Sequence, residues 1–385
     1  MSGKLLRLAC TAAVAAGIVL APPAPVPAAA DPRPAERPVA ELLSDLQRLY
    51  REAEKATEAY NATEEKLRRQ RARAERLDAE LVRTRLSLRE RREAAGLLAR
   101  RQYQSRSDIS PYVRLLLARD PQHALDQGQV IGQLARERAE AVARLTGSER
   151  RAGDLARRAR KALDGRLALA EQQKKERDTV RARLREVEKL LASLSARQLA
   201  ALAELERKGI ARAQEQFLAS GALGDDAKPS AAGESAVRFA VEQLGKPYAW
   251  GAEGPGAYDC SGLTSEAWRR AGAAIPRTSQ EQWARLERIG LGELRPGDLV
   301  VYFPEATHVA LYLGDGMVVQ APRPGARVKV SPIAANPVLG AVRPDPGGEP
   351  VRRYTPPRLP AGAARGSDEG YSSPHAPAAP ETSIR

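Results

Sequence analysis

Two cysteines and three histidines are the only side chains of their kinds in the 385-residue chain, so nucleophile and base chemistry has few places to occur. Cys10 lies in an N-terminal apolar run that is expected to be removed, which leaves Cys260 as the single thiol. A lone thiol is either a small buried apolar group or a reactive one. Cys260 follows a turn carrying Gly251, Gly254 and Gly256 and opens a stretch with helical patterning, Asp259 to Ala271. Amides and the macrodipole at a helix N-terminus stabilise a thiolate, the nucleophilic form, so this position favours reactivity. A thiol nucleophile needs a base or charge partner. His123 falls between two long helical regions and His375 in a Pro-rich tail, so His308 is the one histidine in the same compact region as Cys260. A histidine at a strand start is commonly structural, but its pairing with the lone thiol favours a general base.

The elements that must position these residues are short. Helices are expected at Ser235 to Leu244, Asp259 to Ala271 and Ser279 to Ile289. Strands are expected at Asp298 to Phe303, His308 to Leu313, Met317 to Ala321, Arg327 to Val330 and Gly340 to Arg343. Residues 234–345 in this order make one α+β domain. Gly314-Asp315-Gly316 is a hairpin turn signal. A two-residue loop places His308 and Gln320 on opposite faces, whereas a three-residue loop centred on Asp315 pairs Leu313 with Met317 and Ala310 with Gln320. In the second register Gln320 is a diagonal neighbour of His308 and can fix its tautomer; the alternative is a glutamine on a solvent face. No Cys/His cluster has metal-ligand spacing, and neither a metal nor another cofactor is expected. Thr278 with Glu281 fits a capping box, Trp268 and Trp283 fit a core, and Pro296-Gly297-Asp298 fits a turn entering a strand.

Six motifs in register carry a family resemblance: Pro247-Tyr248-Ala249-Trp250-Gly251, Tyr258-Asp259-Cys260-Ser261-Gly262-Leu263, Pro276-Arg277-Thr278-Ser279, Arg295-Pro296-Gly297-Asp298-Leu299, His308 to Gly314, and Gln320-Ala321-Pro322. Over residues 234–345 the chain resembles the NlpC family of papain-like peptidoglycan endopeptidases. The resemblance implies Cys260 as nucleophile, His308 as base and Gln320 as the orienting third residue, where the family more commonly has His. It also implies Tyr248 near the oxyanion site, and Asp259 and Ser261 as substrate contacts. Arg277 is open between a substrate-carboxylate contact and a structural role at the surface. The implied reaction is hydrolysis of a stem peptide, at the bond between D-glutamate and the diamino acid, with an acyl-thioester at Cys260. An amidase or acyltransferase on the same fold, and an interaction protein with an inert peptidase domain, are the competing readings.

The rest of the chain sets the context. Lys4 and Arg7, the 14-residue run Leu8 to Ala21 and Ala28-Ala29-Ala30 have the layout of a secretory signal peptide over residues 1–30. That run is shorter than the roughly 20 residues a membrane-spanning helix needs, so a secreted or wall-associated protein is expected. A net charge of +14 then points to anionic wall polymers or a membrane surface, with nucleic acid excluded by compartment. From Val39 to Ala95 there is neither Gly nor Pro, and small or apolar residues recur in alternating steps of four and three, from Leu42 and Leu46 through Leu81 and Leu88. This predicts a coiled coil about 80 to 90 Å long. A second helical region from about Val130 to Leu218 contains Gly132, Gly147, Gly153 and Gly165, where kinks or breaks are expected. The expected architecture is thus an antiparallel α-helical coiled-coil hairpin over 39–219, an irregular apolar tip over about 105–128, a linker over 220–233, the papain-like α+β catalytic domain and a disordered tail over 346–385. The order of elements resembles division-associated wall hydrolases whose coiled coils dock on the FtsEX transporter. Tyr112, Val113, Leu115, Leu116 and Leu117 are too apolar to leave in water and too few to form a core alone, so they either dock a partner or pack back onto the hairpin and close its end, and an arm of this length beside a short flexible linker can also fold over the Cys260 cleft.

Overall fold

The computed structural model describes residues 37–104, 113, 121–224 and 227–364. The expected signal peptide, Tyr112, Leu115 to Leu117, the His123 side chain and His375 lie outside the described residues. No described helix is long and apolar enough to cross a membrane.

Two long helices, α1 (Val39–Gln104) and α2 (Pro121–Ala192), run antiparallel. Contacts from Glu52 to Arg183, Tyr60 to Gln173, Gln70 to Ala162 and Arg92 to Glu149 step along them in opposite directions. The alternating series of α1 forms the seam, with Leu42, Leu46, Ala53, Leu67, Leu81 and Leu88 buried. The glycines of α2 do not break it. Gly165 instead permits a close approach, since a Cβ there would lie 3.0 Å from the Gln70 amide nitrogen that donates to the Ala162 carbonyl at 2.9 Å. The break falls at Ser195, which caps α3 (Ala196–Ala219) in a reciprocal capping box with Gln198. Ser195 and Gln198 occupy the spacing of such a box, a signal outweighed in the sequence by the glycines.

The C-terminal part of the chain is built on a six-stranded antiparallel sheet in the order β1-β6-β2-β3-β4-β5. Its strands are β1 (Glu287–Ile289), β2 (Leu299–Tyr302), β3 (His308–Gly314), β4 (Met317–Gln320), β5 (Lys329–Pro332) and β6 (Val338–Arg343). One face packs on α4 (Ala231–Glu242) and α5 (Cys260–Arg270) through Val237, Leu263, Trp268, Leu299, Leu311 and Val319. A short α6 (Ser279–Arg285) follows α5, and the segment after it pairs as β1, although its pattern continues that of the helix. The other face carries Val300, Tyr302, Ala310, Tyr312 and Val318, covered in part by Phe217 of α3 and Leu223. With both faces covered, β2 and β3 are buried at nearly every position, which is why they read as continuous apolar runs.

Three boundaries differ from the sequence expectation. Helix α4 starts within the expected linker, because Ser230 accepts from the Gly233 amide and caps it. α3 is part of the domain's covering layer as well as of the helical region: Gln214 donates to the Gly316 carbonyl and accepts from the Ala334 amide. Of the expected disordered tail, residues 346–364 are described and are held to the domain: Val351 N–H bonds to Pro229, Ala363 accepts from Val330, and just before them Arg295 pairs with Asp345. Backbone hydrogen bonds hold this segment without the large apolar side chains whose scarcity points to disorder.

Candidate active site

Asp259, the N-cap of α5, brings Cys260 to the first position of that helix and accepts from the Gly262 amide at 2.7 Å. Its other oxygen accepts from the Gly251 amide at 2.9 Å, which folds the Gly-rich turn back onto the helix start. Gly262 is required by this closeness, because a Cβ there would collide with the Ala252 carbonyl oxygen. Cys260 is therefore placed beside a buried carboxylate one residue away.

β3 and β4 bring the other two residues in. The hairpin turn is the two-residue Asp315-Gly316, both at positive φ, with Gly314 opposite Met317. The expected three-residue loop is thus replaced by a two-residue turn and a bulge at Leu313, after which Tyr312 pairs with Val318 and Leu311 with Val319. The extra residue restores the register that a plain two-residue loop would have lost. His308 and Gln320 share a face, and His308 Nε2 lies 2.6 Å from Gln320 Oε1. An accepting amide oxygen places the proton on Nε2 and leaves Nδ1 as the basic nitrogen. The Tyr302 ring lies 5.6 Å from the imidazole, centroid to centroid, at a tilt of 43°.

Tyr248 is buried and adjoins Cys260. Asp259, Ser261 and Arg277 are also buried, and they bind one another. Arg277 donates to both oxygens of Asp259, at 3.0 and 2.8 Å, and to Ser261 Oγ at 2.9 Å. It also pairs with Glu253 at 3.1 Å. Arg277 is neither a surface residue nor an unengaged carboxylate receptor. It fixes the two residues that flank Cys260.

The groups that lie over this site come from α1, and no motif in the sequence marks them. Glu54, Thr57, Glu58 and Asn61 recur at helical spacing and are all buried, although they lie off the apolar seam. Asn61 donates to Asp259 at 3.0 Å. Glu58 accepts from Ser261 Oγ at 2.7 Å and from the Ser279 amide at 3.0 Å, and its Oε1 is 3.9 Å from Cys260 Sγ. Glu54 Oε1 is 3.6 Å from His308 Nδ1. Tyr60 packs edge-on against Trp250 at 5.0 Å. A polar stripe on a charged helix carries no mark of burial in the sequence, and only the docked domain reveals it.

Burial sets the protonation of the pair. It pushes the thiol well above its ordinary value, and the carboxyl groups of Glu58, Asp259 and Glu54 push further in the same direction. Burial also lowers the imidazole to about 4, against smaller opposing effects from Gln320 and Asp259. In this arrangement the pair is neutral thiol and neutral imidazole. A cavity of about 740 Å³ lies beside Gln320, walled by α1, α3 and the segment after β4. α1 thus covers the thiol itself and leaves part of the adjoining groove open.

Residues 245–340 match the NlpC/P60 family. The chain therefore carries an NlpC/P60 domain, at the sheet, α5 and the residues just described. Over 96 residues it is 47% identical to a Corynebacterium glutamicum protein named "Probable endopeptidase", a match covering 25% of this chain and 46% of that one. A Mycobacterium tuberculosis protein of the same designation is 39% identical over 108 residues, 28% of each chain. The chain thus spans less than half the length of these curated relatives. Among solved structures, the NlpC/p60 domain of the peptidoglycan hydrolase SagA is 32% identical, with a TM-score of 0.28, over 29% of this chain and 97% of that one. The curated proteins matched over this domain are thus named probable endopeptidases.

Proposed function

We propose that the chain is an exported cysteine endopeptidase of the bacterial wall, held closed by its own α1, that hydrolyses peptidoglycan stem peptides at the D-glutamyl-diaminopimelate bond. The observation that carries this reading is the set formed by Cys260 at a helix N-terminus and His308 with its Nε2 on Gln320, inside the segment matched to NlpC/P60. In the open enzyme His308 Nδ1 takes the thiol proton and the sulfur attacks the carbonyl carbon of the scissile amide. The Cys260 amide and Tyr248 face the oxyanion. The imidazolium then gives its proton to the leaving amine, and an acyl-thioester remains. Water, deprotonated by the same nitrogen, releases the new carboxylate and restores the thiol.

Export rests on the charge, the apolar run and the small-residue site of residues 1–30. A role in wall remodelling or daughter-cell separation, with the hairpin docking on an FtsEX-type complex, rests only on the resemblance in the order of elements; Leu97, Leu98, Tyr103, Val130 and Leu134 of the hairpin are exposed and offer apolar surface to a partner of some kind. The test is digestion of purified sacculi by the mature chain, wild type and Cys260→Ser, with products identified by mass spectrometry. New D-glutamate carboxyl termini that depend on Cys260 are expected. Release of intact stem peptides from the glycan, or transfer of an acyl group to an added amine, would replace this reading with an amidase or an acyltransferase.

A further inference from the structure

Regulation of the site rests on the proposed role of Cys260 and on α1 as the element that closes it. α1 inserts two carboxyl groups, one turn apart, against the site. Among the described residues Glu58 meets only neutral donors at hydrogen-bond distance, Ser261 Oγ and the Ser279 amide, and its oxygen lies beside the thiol. Ser261 Oγ is itself 3.5 Å from Asp259 Oδ1, so two carboxyl groups flank one hydroxyl. Glu54 faces the neutral imidazole with one oxygen, while its other oxygen is buried with no hydrogen-bond partner among the described residues.

The charged groups around them are engaged elsewhere. For Glu58 these are Asp259, Cys260 and Arg277, and Arg277 commits both terminal nitrogens to Asp259. For Glu54 they are Arg323, Arg51, Glu58 and His308. Arg323 forks onto both oxygens of Glu206 on α3 and lies over the Tyr50 ring, and Arg51 is exposed. A carboxylate brought from water to either position loses its hydration without gaining a dedicated cation, whereas a neutral carboxylic acid loses far less.

We propose that α1 closes over the site as a proton-dependent latch, with Glu54 and Glu58 entering as neutral acids, so that closure weakens and the site opens as the pH rises from neutral to alkaline. Burial, the largest cause in both cases, raises Glu54 to about 8, with Arg323 opposing, and raises Glu58 with the added repulsion of Asp259. In the open form both are solvated, near the ordinary value of 4.5. Groups raised on closing give their full contribution below 4.5, and it is lost as the pH climbs to about 8. His308 acts in the opposite sense. It is held near 4 when closed against an ordinary 6.5, so between those values rising pH favours closure. Above 6.5 the imidazole is neutral in both forms, and the carboxyl groups act unopposed. Two carboxyl groups outweigh one imidazole, so opening begins above about pH 4.5 and is steepest between about pH 6.5 and 8, and the raised thiol of the closed form adds to it at the alkaline end.

The test uses the full mature chain and needs no hydrolysis. Alkylation of Cys260 by iodoacetamide and tryptophan fluorescence, which reports the Trp250–Tyr60 contact, are followed from pH 5.5 to 8.5 in wild type and in Glu54→Gln/Glu58→Gln, whose amides stay neutral. Wild type is expected to react at least tenfold faster than the double variant at pH 8.5, and its fluorescence to shift most between about pH 6.5 and 8, an interval over which the variant, left with only the Cys260 thiol to titrate at the alkaline end, changes far less. Equal alkylation rates at pH 8.5, or a wild-type signal unchanged over the range, would overturn the latch. If the double variant does not fold, Glu54→Gln alone must react at least threefold more slowly than wild type at pH 8.5, and equality again overturns the proposal. A chain that gates alkylation in this way yet leaves sacculi intact would keep the latch and remove the endopeptidase assignment.

Discussion

At the scale of single residues, the site separates a reacting pair from the groups that hold it. Cys260 and His308 carry the proposed chemistry, and replacing either by a group that cannot ionise or accept a proton removes a whole step. Cys260→Ser is expected to lose wall-digesting activity by at least about a thousandfold with an unchanged fold, because the hydroxyl has a far higher pKa than the thiol and the same base does not activate it. Circular dichroism together with turnover on sacculi checks both halves. Gln320 acts through His308: its Oε1, 2.6 Å from Nε2, selects the tautomer with Nδ1 free. Gln320→Ala should therefore cost less than His308→Ala, about ten- to a hundredfold in kcat with KM nearly unchanged, since orientation of the base is lost and the base is not. An equal loss in both variants would mean that Gln320 takes part in the reaction itself.

Helices and strands show how local rules produced that geometry. The bulge at Leu313 decides whether His308 and Gln320 meet, because one residue of slip would send their side chains to opposite faces. Deleting Leu313 should abolish activity while leaving an antiparallel hairpin, an outcome read by comparing turnover with amide exchange in β3 and β4. In α1 two stripes coexist. The apolar one holds α2: Leu46 is completely buried against Tyr50 and Val187, so Leu46→Ala should cost about 2–5 kcal/mol, measured by denaturant unfolding. The polar stripe of Glu54, Glu58 and Asn61 faces the domain and adds little to hairpin stability. Asn61→Ala, which removes the bond to Asp259, is accordingly expected to weaken the contact of α1 with the domain by about 1–3 kcal/mol and to speed Cys260 alkylation severalfold.

For the whole molecule, one chain holds both the site and its cover. α3 has a double role, since Phe217 packs on the outer face of the sheet while Glu206 pairs with Arg323 beside the cleft. A fragment beginning at Leu194 keeps that covering layer and loses α1 and α2. It should remain folded and digest sacculi faster than the mature chain. A fragment beginning at Ser235 cuts into α4 and removes its Ser230 cap, and it is expected to be less stable than the longer one by about 1 kcal/mol from the cap alone, before the loss of Phe217 is counted. Equal rates for the mature chain and the Leu194 fragment would show that α1 does not restrain the enzyme.

Local chemistry is written locally, and so the sequence determined much of this protein. Cys260 at a helix start, the His308 strand, the Gln320 register and the α1 seam each depend on neighbours within a few residues or on strict periodicity. Tertiary structure decided what depends on approach between distant segments. Arg277 is a clamp because Asp259 and Ser261 lie within reach, 18 and 16 residues away. Residues 346–364 are held to the domain because Pro229 and Val330 supply their backbone partners. Glu54 and Glu58 are buried only because α1 returns to a site some two hundred residues further along the chain. A glutamate on an Arg-rich helix has the same sequence signature whether it faces water or a thiol. Its environment, and with it its charge, is fixed by what the rest of the chain places against it.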